Sequence, residues 1–191
     1  MMIRNCKALA AVAALVIAAP LLAGEDYGVD TAHSSVTFQI SHLGLSWIHG
    51  RFNEYSGSFS IDSSEPAKST FAFEIKPETI DTANAKRDAH LKSPDFFNVK
   101  QFPMISFKST AVKAVADGGY EVTGDLSFHG AVKPVTFTLV GGKAAEFPKG
   151  VHRTGYSTMF TIKRSDFGMG KMTDAIGDDV YVAISFEGVK K

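Results

Sequence analysis

Six histidines are the first residues of this sequence that could do chemistry, because an imidazole can bind a metal ion or move a proton near neutral pH. They stand at His33, His42, His49, His90, His129 and His152. No two have the spacing of about three or four residues that places two ligands on one helix face. The sole cysteine, Cys6, is distant from all of them. The spacing therefore predicts no metal site and no bound cofactor.

Asp88, His90 and Ser93 have the residue types of a hydrolase triad. They lie within about one and a half turns of a predicted helix, so their side chains cannot converge as nucleophile, base and orienting acid do. The sequence also has no Gly-x-Ser-x-Gly elbow and no evident pair of carboxylates for sugar chemistry. It therefore predicts a protein without catalytic residues, in which Arg87 and Asp88 tie the helix to neighbouring strands.

Arg164 and Asp166 are a further candidate pair, in the run Arg164-Ser165-Asp166-Phe167-Gly168-Met169. Their charges and the glycine indicate a loop held by ion pairs and a glycine turn. His42 allows two interpretations, since it continues the apolar phase of the strand before it. It is either a hydrogen-bonded histidine at a strand end or a polar group at the mouth of a barrel.

The elements that position these residues are mainly strands, because apolar and polar residues alternate with a period of two in most of the chain. Such alternation puts one face of each strand on the core and the other in water, as in antiparallel sheets. We count eight strands. The inward apolar positions are Val36, Phe38, Ile40, Phe71, Phe73, Ile75, Ile105, Phe107, Tyr120, Val122, Leu126, Phe128, Val135, Phe137, Leu139, Phe160, Ile162, Val180, Val182, Ile184 and Phe186.

Some segments depart from simple alternation. In the strand over 50–61 the apolar phase changes, which predicts a bulge near Ser56 and Gly57. Asp117-Gly118-Gly119 is typical of a tight hairpin, and Gly141-Gly142 is expected to close another strand.

One short helical insertion interrupts the strands. Thr82 is the expected N-cap of a helix over Ala83 to Lys92. Pro94 must end that helix, because the residue before a proline is biased away from helical backbone angles.

The N-terminal segment has the order of a secretory signal peptide. Arg4 and Lys7 precede an apolar run over 8–19, and small residues follow at Ala23 and Gly24. The run is too short to span a bilayer. We therefore expect a signal peptide over residues 1–24, one mature domain over 25–191, and a periplasmic location.

The mature chain has a weak negative charge. Removing Arg4 and Lys7 leaves 18 basic against 20 acidic residues, a net charge of about −2. No basic run could face nucleic-acid phosphates, and no later apolar stretch is long enough for a transmembrane segment. The charge pattern predicts neither a nucleic-acid partner nor a membrane span.

Eight one-sided strands can form a sandwich or a closed barrel, and alternation alone does not decide between them. It also does not decide whether the phenylalanine-rich interior is a solid core or a dry lining around a small ligand.

The order of short motifs resembles the YceI-like family of periplasmic polyisoprenoid-binding proteins, over about residues 27–190. The motifs are Asp30-Thr31-Ala32-His33-Ser34, His42-Leu43-Gly44, Thr79-Ile80-Asp81-Thr82, Arg87-Asp88-Ala89-His90-Leu91, Phe96-Phe97, Phe102-Pro103, Gly124-Asp125-Leu126, His129-Gly130 and 164–169.

The resemblance implies an all-β fold, an eight-stranded antiparallel lipocalin-like barrel with a short helical insertion. It also implies a lipid ligand such as an isoprenoid quinone or polyprenyl lipid, and a homodimer. The inward apolar positions would line the lipid tunnel, with His42, His90 and Arg164 as candidate contacts of its head group. A carrier or store is the expected function. The alternatives are an enzyme acting on such a lipid, and a solid-core barrel that acts through its outer face.

Overall fold

The computed structural model describes residues 24–191. The segment Met1–Ala23, where the signal peptide is expected, lies outside the described residues. No helix in the described part of the chain is long and apolar enough to cross a membrane.

The described residues form ten strands and one short α-helix, α1 (Ala85–Lys92). In chain order the strands are β1 (Glu25–His42), β2 (Ser46–Phe52), β3 (Tyr55–Ile61), β4 (Thr70–Ile75), β5 (Ile80–Asp81), β6 (Ile105–Ala114), β7 (Tyr120–Phe128), β8 (Ala131–Glu146), β9 (His152–Lys163) and β10 (Ile176–Lys190). Short 3-10 turns lie at Pro66–Lys68, Pro77–Thr79, Ala116–Gly118 and Arg164–Phe167.

Eight of the strands close into an antiparallel barrel. They are hydrogen-bonded in the order β10-β9-β8-β7-β6-β4-β3-β1, and β1 pairs again with β10. Each of these eight strands is therefore hydrogen-bonded on both sides over at least part of its length, and β8 and β9 pair only between Val140 and Glu146 of β8. The expected all-β, eight-stranded antiparallel barrel with a helical insertion is thus confirmed. We call the end where β1 finishes at His42 and β10 starts at Ile176 the mouth.

The break in the second predicted strand lies earlier than the sequence suggested. The chain leaves β2 at Asn53 and starts β3 at Tyr55, rather than bulging at Ser56 and Gly57. The backbone N–H of Asn53 donates to the carbonyl of Thr79, 3.2 Å away. The N–H of Glu54 donates to the Thr79 hydroxyl at 2.9 Å. These bonds stabilise the turn between β2, which pairs with the C-terminal half of β1, and β3, which pairs with its N-terminal end.

The two glycine predictions had different outcomes. Asp117 and Gly118, with φ of 56° and 77°, form the expected turn between β6 and β7. The expectation that Gly141-Gly142 closes a strand is wrong. Both have positive φ and form a bulge inside β8, which continues to Glu146. Glycine is suited to both positions because positive φ costs it no steric strain.

The helix begins two residues later than predicted. Ala83 has φ of 58°, which excludes it from a right-handed helix, and the N-cap is Asn84, whose side chain accepts from the Arg87 N–H. Thr82 is still bound to the helix, because its N–H and hydroxyl donate to Asp88. The Arg87 guanidinium donates to Thr82 as well. The helix ends at Lys92, as expected from Pro94.

The barrel end opposite the mouth is filled by six aromatic rings, which we call the aromatic plug. Its members are Tyr27, Phe59, Phe71, Tyr120, Tyr156 and Phe186, all buried. Phe59 is central, with ring centroids 4.9 Å from Tyr27, 5.8 Å from Phe71 and 5.4 Å from Phe186. The plug closes this end of the barrel.

Candidate functional site

The half of the barrel between the aromatic plug and the mouth encloses a cavity of about 240 Å³. One water needs about 10–15 Å³ of such space, so the cavity can take a much larger molecule. Its wall is nearly all apolar. Nineteen of the twenty-one predicted inward positions stand around it: Val36, Phe38, Ile40, Phe71, Phe73, Ile75, Ile105, Phe107, Leu126, Phe128, Val135, Phe137, Leu139, Phe160, Ile162, Val180, Val182, Ile184 and Phe186.

The other two predicted positions are inward but lie away from the cavity. Tyr120 belongs to the aromatic plug, and Val122 is completely buried. By contrast, many inward residues of the mouth half, such as Phe137 and Val182, are only half-buried. Residues that face inward and keep exposed surface border an empty space, so this half of the barrel is hollow.

Phenylalanines of the wall lie against glycines of neighbouring strands. A Cβ added at Gly50 would overlap the Phe38 ring, one at Gly57 the Phe73 ring. Small residues beneath the rings let them lie along the wall instead of projecting towards the barrel axis. The glycines thus help to keep an aromatic-lined interior open.

The helical insertion and the segment after it complete the wall where strands do not. Leu91, Phe96 and Phe97 border the cavity. The Phe97 ring is 5.8 Å from Phe52 and 5.7 Å from Phe128. Sequence reasoning missed these residues because they lie outside period-two segments. Their apolar character within a polar insertion was the one available signal.

Arg164 lies in the cavity wall near the mouth, but its guanidinium is already occupied. It donates to the carbonyls of Gly177, Lys171 and Ile176, each at 2.9 Å, and to that of Met169. The sequence predicted a loop held by ion pairs, but Arg164 makes none among the described residues, and its four bonds go to carbonyl groups. Burial lowers the pKa of Arg164. The residue fastens the loop at the mouth, and the expected glycine turn is present at Gly168, with φ of 77°.

His42 and His90 also border the cavity. His42 ends β1 opposite Ile176 and is exposed. His90, on α1, has Nε2 at 2.9 Å from a carboxylate oxygen of Asp95. Hydrogen bonds from Lys171 and, to a smaller extent, from His90 hold the pKa of Asp95 below its usual range. The three predicted polar positions thus lie at one end of the cavity, on three different elements.

The triad-like residues of α1 do not share a site. Asp88 accepts from Thr82, whereas the His90 ring bonds to Asp95, which follows the end of the helix in the chain. Arg87 and Asp88 hold the helix to Thr82, which directly follows β5, and not to a strand residue as the sequence predicted.

Asp30, His33 and Glu187 place three metal-compatible ligand atoms within 4.8 Å of one another, beside the aromatic plug. The Arg153 guanidinium lies among these ligand atoms, and its Nη1 donates to Asp30 Oδ2 at 2.6 Å and to Glu187 Oε2 at 3.3 Å. Arg153, and secondly His33, lowers the pKa of Asp30 to about 2. The cluster is an ion-paired clasp between β1, β9 and β10.

A family described as "YceI-like domain" matches residues 27–188 of the chain. A UPF0312 protein of Pseudomonas putida is 39% identical over 193 residues and covers 100% of both chains. A second UPF0312 protein, of Ectopseudomonas mendocina, is 35% identical over 187 residues, covering 95% of this chain and 98% of its own.

Solved structures share the fold. The chain is similar to Burkholderia cenocepacia BcnA, with TM-score 0.76, 23% identity, and coverage of 83% of this chain and 98% of that one. The similarity to a Campylobacter jejuni YCEI protein has a TM-score of 0.71 at 29% identity, and it covers 79% of this chain and 90% of that one. The similarity to a domain of Saccharophagus degradans described as polyisoprenoid binding has a TM-score of 0.63 at 15% identity. It covers 86% of this chain and 98% of that one.

Proposed function

This chain belongs to the YceI-like family, and we propose that it is an exported, periplasmic protein that holds the apolar chain of an isoprenoid or similar lipid in its barrel. We take it to be a carrier or store rather than an enzyme. The interior wall would bind the hydrocarbon, and the polar residues at the mouth would face the surroundings.

The hollow, apolar half of the barrel is the observation that carries this proposal. Burial of hydrocarbon is worth about 0.8 kcal/mol per methylene. A chain of about 20 carbons therefore gains on the order of 10 kcal/mol or more before the costs of binding. No charge or metal is needed, only a dry tube of sufficient width. The same cavity speaks against the solid-core alternative.

The isoprenoid as ligand class is supported by the Saccharophagus degradans domain, whose description names polyisoprenoid binding. At 15% identity that likeness establishes the shared fold, and the ligand is carried over as part of our proposal. The expected signal peptide supports the location. A lipid that must cross a water-filled compartment needs a protein to shield it.

Purification from the periplasm of the native host, organic extraction and mass spectrometry would test the proposal. We expect one class of long-chain lipid in near-stoichiometric amount, and a polypeptide that begins at Gly24 or Glu25. Protein that carries no lipid and takes up no added isoprenoid would contradict the binding function. An intact mass that retains Met1–Ala23 would contradict export with cleavage.

An enzyme that acts on the lipid at the mouth is the second candidate, favoured by the His90–Asp95 pair. Incubation of the protein with an isoprenoid, followed by mass spectrometry, separates the two. We expect the lipid to be recovered unchanged from the wild type. Chemical conversion that is lost in His42→Ala, His90→Ala or Arg164→Ala would replace our proposal with the enzyme.

A further inference from the structure

The hydroxyl of Thr158 is shielded from water and has no hydrogen-bond partner among the described residues. The residue is 5% exposed and stands in the cavity wall. A hydroxyl can donate one hydrogen bond and accept two. Most buried polar groups in proteins are paired, and leaving one unpaired costs free energy. An unpaired hydroxyl in the wall of an apolar cavity therefore points to a partner that a ligand supplies.

Thr158 marks the floor of the cavity. On β9 it stands between Tyr156, which belongs to the aromatic plug, and Phe160, which is half-buried in the cavity wall. Its partner across the ladder is Ile184. The surrounding floor residues are apolar and fully buried: Val36, Phe71, Leu139 and Phe186. Thr158 is thus a single polar group in an uncharged, otherwise hydrocarbon floor.

The chemistry of this floor selects the group that can bind there. A phosphate or carboxylate would bury its charge on a floor that provides no opposite charge, which is strongly unfavourable. A neutral hydroxyl or carbonyl oxygen needs one hydrogen bond, and Thr158 can provide it. The hydroxyl is shielded in the rotamer that the structure shows, and a ligand oxygen on the floor would bond to it after rotation to another staggered rotamer.

We propose that the lipid binds with a neutral, oxygen-bearing end group on the floor, hydrogen-bonded to Thr158, and with its hydrocarbon extending towards the mouth. This inference rests on the proposed function and adds the orientation and end-group class of the ligand. It makes Thr158 a specificity-determining residue for a neutral oxygen, while the uncharged floor around it excludes charged head groups from the inner end of the barrel.

Binding of geranylgeraniol and of its hydrocarbon without the hydroxyl, measured on delipidated protein by titration calorimetry, tests this. We expect the wild type to bind the alcohol about tenfold more tightly than the hydrocarbon. Thr158→Val should lose this preference by weakening alcohol binding alone, and Thr158→Ser should keep it. Ser157→Ala is the matched control, since Ser157 carries its hydroxyl on the outer face of the same strand, bonded to Ser185.

Orientation is tested with two labelled probes, one geranylgeranyl chain with a dansyl group on its oxygen end and one with the group on its hydrocarbon end. Only the second should bind well, because the first cannot place its oxygen on the floor. A folded Thr158→Val variant that keeps the full alcohol preference would overturn the inference. So would equal wild-type affinity for alcohol and hydrocarbon, a comparison that does not depend on any variant folding. If the wild type bound neither probe, the proposed function itself would fail.

Discussion

The two halves of this barrel share one alternating strand pattern, yet one is solid and the other is hollow. In the plug half Phe59 is 3% exposed and Val122 is 0% exposed. In the mouth half Phe137 and Val182 face the same interior and remain half-buried. Alternation decides which residues face inward. The number of rings that meet at one level of the barrel decides whether the interior is filled.

Truncating one ring in each half gives the largest expected contrast. Phe59→Ala should destabilise the delipidated protein by about 3–5 kcal/mol, because the ring is packed on several sides and leaves a void. Phe137→Ala should cost well under half as much, since that ring already borders empty space. Denaturant unfolding of both variants measures the difference. Equal losses would mean that the two halves are packed alike.

Adding one methyl group tests the glycines beneath the rings. A Cβ at Gly188 would overlap the Phe59 ring, which has no room to move, so Gly188→Ala should cost about 1–3 kcal/mol. A Cβ at Gly50 would overlap the far end of the Phe38 ring, which can swing into the cavity. Gly50→Ala should therefore cost less than about 1 kcal/mol and weaken lipid uptake instead. A Gly50→Ala variant with unchanged uptake would contradict this role of the wall glycines.

Filling the hollow half should change binding far more than stability. Val182 lies in the middle of β10 on the cavity wall, so Val182→Trp can place its indole in the space of the lipid. We expect a loss of less than about 1 kcal/mol in the delipidated protein and a sharp fall in uptake of a labelled isoprenoid. Ala183→Trp, on the opposite face of the strand, is the control and should bind normally. Strong destabilisation by Val182→Trp would indicate a close-packed core at this level.

The strand arrangement could be predicted from the sequence, but the cavity could not. Val122 and Val182 both follow the inward phase of a strand, and nothing in either pattern tells that only one of them borders a void. The distance across the barrel depends on closure and on which rings meet, which are properties of residues far apart in the chain. The family resemblance pointed to a tunnel, whereas the residues alone did not decide between a solid and a hollow interior.

Several polar interactions could not be predicted from the sequence either, and each has a physical reason. Thr82 and Asn84 are both good N-caps, and the positive φ of Ala83 that selects Asn84 has no signal in the sequence. Arg164 and Asp166 suggested a loop held by ion pairs, but the Arg164 guanidinium binds backbone carbonyls. Every residue has a carbonyl, so such partners cannot be identified from residue types. The unpaired hydroxyl of Thr158 is visible only once its neighbours are placed.

The smallest expected effect concerns the ion-paired clasp beside the plug. Arg153 is the main cause of the low pKa of Asp30, about 2 against an ordinary 3.8. Because the folded-state pKa is below that of the unfolded chain, Asp30 stabilises the fold above about pH 4. That contribution is lost as the pH falls from about 4 to 2.

Arg153→Gln should raise the pKa of Asp30 towards its ordinary value, as followed by carboxyl NMR titration. It should also lower the melting temperature near pH 7, and the gap to the wild type should narrow as the pH approaches 2. Lys76→Gln, which breaks the exposed pair with Glu54, is the control and should change the melting temperature little at any pH. The Asp30 side chain is only 17% exposed, so added salt should screen its pair less than the Lys76 pair. An Asp30 that titrates near 3.8 in the wild type would show that Arg153 does not pair with it.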